Sequence, residues 1–255
     1  MRKYIYIFSY AVWALSLSNV FSSVAQPTSF AQTQTPATSE PKFTPPPGTE
    51  TLEIKKLIDQ AQAALESGKT KPVSLLTNPV YMPAHEWPRF RKLIRQYAQD
   101  SQAIIVTPQE PGEQLVVSGT IRNQQGEPIK GAIVYLYQTS AKGWYSDKAP
   151  HISGMAGDEK HARLFGYLIT GQDGQYELRT IRPAGYPNSN LPAHIHIEIE
   201  VGGARPHTFI SEIQFEDDPR LTPEMRARSQ REKLFIFPVT RDAQGIQRVK
   251  ADFRI

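Results

Sequence analysis

The run His194-Ile195-His196-Ile197-Glu198-Ile199-Glu200-Val201 changes between polar and apolar at every step. That is the period of a β-strand with one buried face; a helix would scatter these isoleucines around its axis. The isoleucines therefore belong to a core, and the chain must build a layered β structure to cover them. Both imidazoles then point to the opposite side, about 7 Å apart along the strand. Two imidazoles so placed can close on one metal ion, and a strand holds them more stiffly than a loop. A plainer reading, a solvated polar face that happens to contain two histidines, fits the alternation equally well.

From Gln114 onward the pattern is β throughout. Candidate strands cover 115–121, 133–138, 166–170, 175–180, 195–201, 208–215, 234–239 and 247–253. The segments between them carry turn residues, as in Gln125-Gly126-Glu127-Pro128, Asp173-Gly174 and Asp242-Ala243-Gln244-Gly245. Short strands at this spacing predict a mainly β fold, a β-sandwich of about eight strands, over residues 113–255.

The part ahead of it, 51–112, reads as a helical extension. Leu52, Ile54, Leu57, Ile58, Ala61 and Leu65 recur at helical spacing and Gly68 closes the segment. A second helix is predicted over 87–99, with Phe90, Leu93, Ile94 and Tyr97 on one face. Packing against the β domain is the favoured role of both; a homodimer contact through them is the alternative. His85, just ahead of the second helix, reads as a surface residue, and the charged segment 217–233 as a solvated connection with a short helical turn.

Residues 1–25 have the anatomy of a signal peptide: Arg2 and Lys3, an apolar run through Val20, then Ser23-Val24-Ala25. An uncleaved anchor is the alternative, but the serines and tyrosines in the run make a weak membrane span. The expectation is export to the periplasm or the outside, with no stable span after processing. The stretch 26–50 is rich in Pro, Thr, Ser and Gln and reads as a flexible linker. The chain has no cysteine, which excludes lipoprotein acylation and a disulfide framework. Loss of Arg2 and Lys3 lowers the formal charge from +4 to +2. That balance, with no basic stripe interleaved with aromatics, argues against nucleic acid as a partner.

Ahead of the histidine strand stands Thr180-Ile181-Arg182-Pro183-Ala184-Gly185-Tyr186-Pro187, then Leu191-Pro192-Ala193. The Tyr-Pro followed closely by Pro-x-His-x-His resembles the intradiol ring-cleavage dioxygenases, non-haem Fe(III) enzymes that open catechol rings between the two hydroxyls. The resemblance runs from about Val116 to the C-terminus. It includes the segment from Val134 through Gln138 to Trp144-Tyr145-Ser146, where the family carries a further tyrosine ligand. Carried over residue by residue, it implies a metal set of Tyr145, Tyr186, His194 and His196, with Tyr145 and Tyr186 also in the catalytic role. It implies Fe(III) as cofactor, and a catechol-type substrate and O2 as partners.

Tyrosine ligands suit such an ion. A free phenol has a pKa near 10 and is neutral at pH 7, but a bound trivalent cation reverses that preference. Two tyrosinates and a hydroxide cancel the charge of Fe(III). Zinc is disfavoured, since its usual ligands are Cys, His and carboxylate.

Two positions depart from the family pattern. Leu191 stands where the family has an arginine beside the bound catecholate, and Arg182 and Arg205 are the candidates to replace its charge. Glu212 stands where the family has a glutamine near the iron. In the long loop 142–163, His151 and His161 read as loop or pocket residues rather than ligands. Two other readings compete. The segments Gly119-Thr120-Ile121, Gly126 to Ala132 and Asp173-Gly174-Gln175-Tyr176 also resemble carboxypeptidase-regulatory-like modules, which are not enzymes. An iron- or catechol-binding descendant without efficient turnover is the other.

Overall fold

The structure, a computed structural model, describes residues 50–146, 162–187, 189–203 and 206–255. The signal-peptide and linker expectations, His151, His161 and Arg205 lie outside the described residues.

Four helical pieces come first. Helix α1 (Leu52–Glu66) starts at Thr51, whose hydroxyl accepts from the Ile54 amide at 3.3 Å. It ends before Gly68, at φ +68°. Helix α2 (Pro72–Leu76), a 3-10 segment (Pro79–Ala84) and helix α3 (Pro88–Gln96) follow. The predicted second helix is thus real but shorter, starting one residue later and ending three earlier, and Tyr97 is its C-cap. The two preceding pieces are too short, and too rich in proline, to show an apolar period. Each starts on a proline at its first turn, where the missing N–H costs nothing.

Among the described residues, eleven strands form two mixed sheets, against about eight expected. One sheet contains β1 (Gln102–Ile104), β2 (Gln114–Arg122), β5 (Gln175–Ile181), β9 (Val239–Arg241), β10 (Gln247–Lys250) and β11 (Phe253–Arg254). Its order is β1-β5-β2-β10-β9, with β11 also on β2. The other runs β4-β3-β6-β7-β8, built from β3 (Ile133–Gln138), β4 (Leu164–Ile169), β6 (His194–Val201), β7 (His207–Phe215) and β8 (Phe235–Phe237). The difference has simple sources. Pro238 and the Ala251-Asp252 step each divide one predicted strand in two, and β1 is too short to show a period. The expected connection 217–233 contains a full helix, α4 (Pro223–Glu232), capped by the Thr222 hydroxyl and closed by Lys233 at φ +57°.

Strand β6 is interior to its sheet, antiparallel to β3 on one side and β7 on the other. Ile195, Ile197 and Ile199 are fully buried between the sheets, with Val134, Leu136 and Ile213 beside them and Leu115, Val117 and Leu178 in the same core. Each such side chain contributes roughly 1.5–3 kcal/mol of burial. Gln138 ties the layers: its amide donates to Ile181 O at 2.9 Å and its carbonyl accepts from the Thr180 hydroxyl at 3.0 Å. The alternation of β6 therefore puts His194 and His196 on the outer face of the second sheet.

The helical pieces cover part of that outer face. His85 stacks on Phe90 of α3 at 5.2 Å and meets the edge of Phe165 in β4 at 5.7 Å. His85 is 0% exposed, which corrects its reading as a surface residue. Burial holds its pKa down to about 4, and its Nδ1 donates to Arg163 O at 2.9 Å. Among the described residues, no helix is long and apolar enough to cross a membrane.

Candidate metal centre

Two loops bring the tyrosines to the histidine strand. The loop after β3 carries Tyr145; the loop after β5 carries Tyr186. They are stitched together by the Thr139 hydroxyl donating to Ala184 O at 2.7 Å and the Ala184 amide donating to Ser140 O at 3.1 Å. The contact is so close that a Cβ on Gly143 would lie 2.4 Å from Gly185 O. Gly143 also has φ +78°, a conformation that favours glycine. On the other side, Arg220 Nη1 donates to Tyr186 O at 3.0 Å and Leu191 O at 3.4 Å, spanning the Tyr186 loop. Asp218 accepts from the Ala193 and Arg220 amides and holds the approach to β6.

All four expected site residues come together. Tyr145 Oη lies 2.7 Å from Tyr186 Oη and 2.8 Å from His196 Nε2. His194 Nε2 lies 3.0 Å from Tyr186 Oη and 3.2 Å from His196 Nε2. The four atoms form a closed ring of contacts, inside which Tyr145, Tyr186 and His194 are only 5%, 7% and 6% exposed. Donors bound to one ion at roughly 2.0–2.1 Å stand about 2.8–3.4 Å apart. The donor set and its spacing fit a metal ion.

The orientation of His194 supports the same fit. Its Nδ1 lies 2.8 Å from Pro192 O, which only accepts, so Nδ1 carries the hydrogen. Nε2 then presents its lone pair to the ring, the arrangement metal-binding histidines use. His196 is held by Tyr137, its cross-strand neighbour, whose ring stacks on it at 4.4 Å and 8°. Burial pushes the Tyr145 hydroxyl well above the usual phenol range, and Tyr186, Tyr137 and Glu212 add to it. Only a strong local positive charge would make that oxygen anionic at neutral pH.

Glu212 pairs across the strand with His196, and its Oε1 lies 3.9 Å from His194 Nε2. Its other oxygen accepts from Gln214 Nε2 at 3.1 Å. His194, His196 and Glu212 each offer an atom within 4.8 Å of the others. Leu191 is half-buried and lines a recess beside His194 with Glu212, Gln214, Met225 and Arg228. Arg182 is engaged elsewhere: its guanidinium donates to Asp217 at 2.7 Å and lies 3.8 Å over the Phe215 ring. Nothing local in the sequence marks Arg220, which holds the Tyr186 loop, or Arg228, which lines the recess. Arg228 pairs with Glu232 one helical turn on, at 2.8 Å, a spacing that reads as solvated surface.

Residues 86–255 match the family model described as Dioxygenase. The chain belongs to the intradiol ring-cleavage dioxygenase family. It is similar to catechol 1,2-dioxygenase 1 of Acinetobacter lwoffii, 32% identical over 158 residues, covering 56% of this chain and 48% of the relative. It is also similar to the protocatechuate 3,4-dioxygenase beta chain of Burkholderia cepacia, 25% identical over 180 residues, covering 63% and 69% of the two chains. The matched part spans about half the length of the catechol relative. Among solved structures, the dioxygenase domain of a dioxygenase and carbohydrate-binding fusion from Streptomyces sp. SirexAA-E is 26% identical, with a TM-score of 0.45 over 62% of this chain and 88% of the other. The family match, from residue 86 to 255, extends well beyond the segments 119–132 and 173–176 that carry the carboxypeptidase-regulatory-like resemblance.

Proposed function

We propose that this intradiol dioxygenase family member opens catechol-type rings between the two hydroxyls, with Fe(III) held by Tyr145, Tyr186, His194 and His196. The observation that carries the reading is the ring of four donor atoms at 2.7–3.2 Å, with the His194 lone pair turned inward by Pro192 O. Bound Fe(III) would supply Lewis acidity toward the catechol oxygens and bias the ring toward attack by O2.

The protein's own residues do the rest. The two histidines, set in mid-sheet, fix the position of the ion. The tyrosine oxygens would supply negative charge to the ion, and either of them as phenolate could serve as base for a catechol hydroxyl proton. The recess between Leu191, Glu212 and Arg228 receives the ring. Both atoms of O2 end as carboxyl oxygens of the opened dicarboxylic product, so no further reductant is consumed.

The test is metal content, visible spectrum and oxygen uptake of the purified protein. The expected result is one iron per chain, a reddish tyrosinate charge-transfer band and uptake with a catechol. His194→Ala should lower metal affinity by more than the roughly 10–100-fold typical of an outer-sphere change. A colourless protein that takes up no iron on reconstitution would sink the reading. Leu191 and Glu212 favour a second reading, iron and catechol binding without efficient turnover, since a charge stabiliser is missing beside the substrate. Iron-loaded protein with no uptake on any catechol decides for it.

A further inference from the structure

Tyr145 belongs to no strand. Its backbone sits between β3 and β4, and the described residues flanking the intervening segment are Ser146 on one side and Ala162 and Arg163 on the other. All of these are tied to the helical pieces ahead of the sandwich. The Ser146 hydroxyl donates to Glu86 Oε1 at 2.8 Å. Arg91 Nη1 donates to Ala162 O at 2.6 Å, and His85 Nδ1 donates to Arg163 O at 2.9 Å. The Arg163 amide donates in turn to Tyr145 O at 2.8 Å. The Arg163 guanidinium is held in a two-pronged pair by Glu110 at 2.6 and 2.7 Å.

Glu86, Ser146, His85, Arg91 and Arg163 are all buried. Buried polar groups of this kind keep their geometry because leaving them unbonded is costly. We infer that Glu86 is a positioning residue for Tyr145: through Ser146 it holds the root of the Tyr145 loop, while Arg91 and His85 hold the returning strand. The helical pieces thereby complete the metal centre from outside it. This rests on the proposed iron site, and concerns how one of its ligands is kept in register.

The experiment compares Glu86→Leu, Ser146→Ala, the double variant and Glu86→Gln in the full chain loaded with iron. The Ser146 hydroxyl donates, and a glutamine carbonyl still accepts, so Glu86→Gln should retain the wild-type charge-transfer band. Glu86→Leu and Ser146→Ala should each shift the band and speed iron loss to a chelator by about tenfold, the scale of an outer-sphere partner. The double variant should lose less than the sum of the two single losses, since both changes break the shared Glu86–Ser146 bond. A general loss of stability would not spare Glu86→Gln or make the two single losses overlap in the double variant. An unchanged band and iron retention in folded Glu86→Leu and Ser146→Ala overturns the inference, as does equal loss in Glu86→Gln. A metal-free arm uses 3-fluorotyrosine at position 145 and fluorine NMR. A displaced or multiple resonance is expected in Glu86→Leu and Ser146→Ala, and the wild-type resonance in Glu86→Gln. Wild-type resonances in all variants overturn the inference. Should the wild-type protein bind no iron, the iron reading fails and this arm alone decides the role of Glu86.

Discussion

Gly143 and Gly185 pack backbone to backbone, so that a Cβ on Gly143 would stand 2.4 Å from the Gly185 carbonyl oxygen. These glycines lie two residues before Tyr145 and one before Tyr186, and their contact sets the separation of the two phenols. Gly143→Ala must push the loops apart and adopt a positive φ as well. The expected cost is roughly 1–3 kcal/mol of stability, read by melting, with weakened metal retention. A variant as stable and as metal-retentive as wild type would show that the loops yield freely.

Acid should weaken the fold through His85. Its pKa is about 4 when folded, against an ordinary 6.5, chiefly because of burial, with Arg91 and Arg163 nearby. Below about pH 6.5 the unfolded chain gains a proton there that the folded one does not, so stability falls with pH until the folded value near 4 is reached. The full effect is ~3 kcal/mol, from the linkage between pKa and stability. Denaturant titrations of metal-free protein between pH 7 and 4 should show this slope, and His85→Phe should flatten it while orphaning Arg163 O. The same slope in both proteins would assign the acid sensitivity elsewhere.

The recess beside His194 carries an apolar wall at Leu191 and a carboxylate at Glu212. An incoming carboxylate would be repelled by Glu212 and would find no charge at Leu191. Neutral catechols should therefore be cleaved in preference to protocatechuate, with slow turnover. Leu191→Arg should narrow the preference by about tenfold or more, the scale of one added charged hydrogen bond. Oxygen uptake on a panel of catechols measures both. Fast, selective cleavage of protocatechuate by the wild-type protein would contradict the argument and direct mutagenesis to Arg228.

Export with removal of the first 25 residues is the expectation from the signal-peptide anatomy of the N-terminus. Mass spectrometry of the exported protein should find a new N-terminus near Gln26. An intact Met1 on a membrane-bound form would establish an anchor instead.

The parts of this molecule that were legible beforehand are those whose physics is local. The alternation in β6 shows its buried and outer faces directly, and Thr51 and Gly68 bracket α1 as capping chemistry requires. Tyr145 and Tyr186 are different: nothing in their neighbourhoods marks a ligand, and only their joint resemblance to a family pattern singled them out. The places of His85 and Arg228 are not legible locally, because burial and facing are made by elements far away in the chain. His85 meets Phe165 from β4, and Arg228 meets the recess only because α4 folds against β7. Strand β1 escaped because three residues carry no period.

The candidate centre has a stiff half and a pliable half. His194 and His196 sit on the interior strand β6, His196 laddered to β3 and β7 and His194 to β7, whereas both tyrosines hang from loops secured by a handful of side-chain bonds. Heat should act on the two halves in sequence. The loops loosen first, so an iron-loaded protein would bleach while its sheets remain intact, and colour lost in this way would return on cooling.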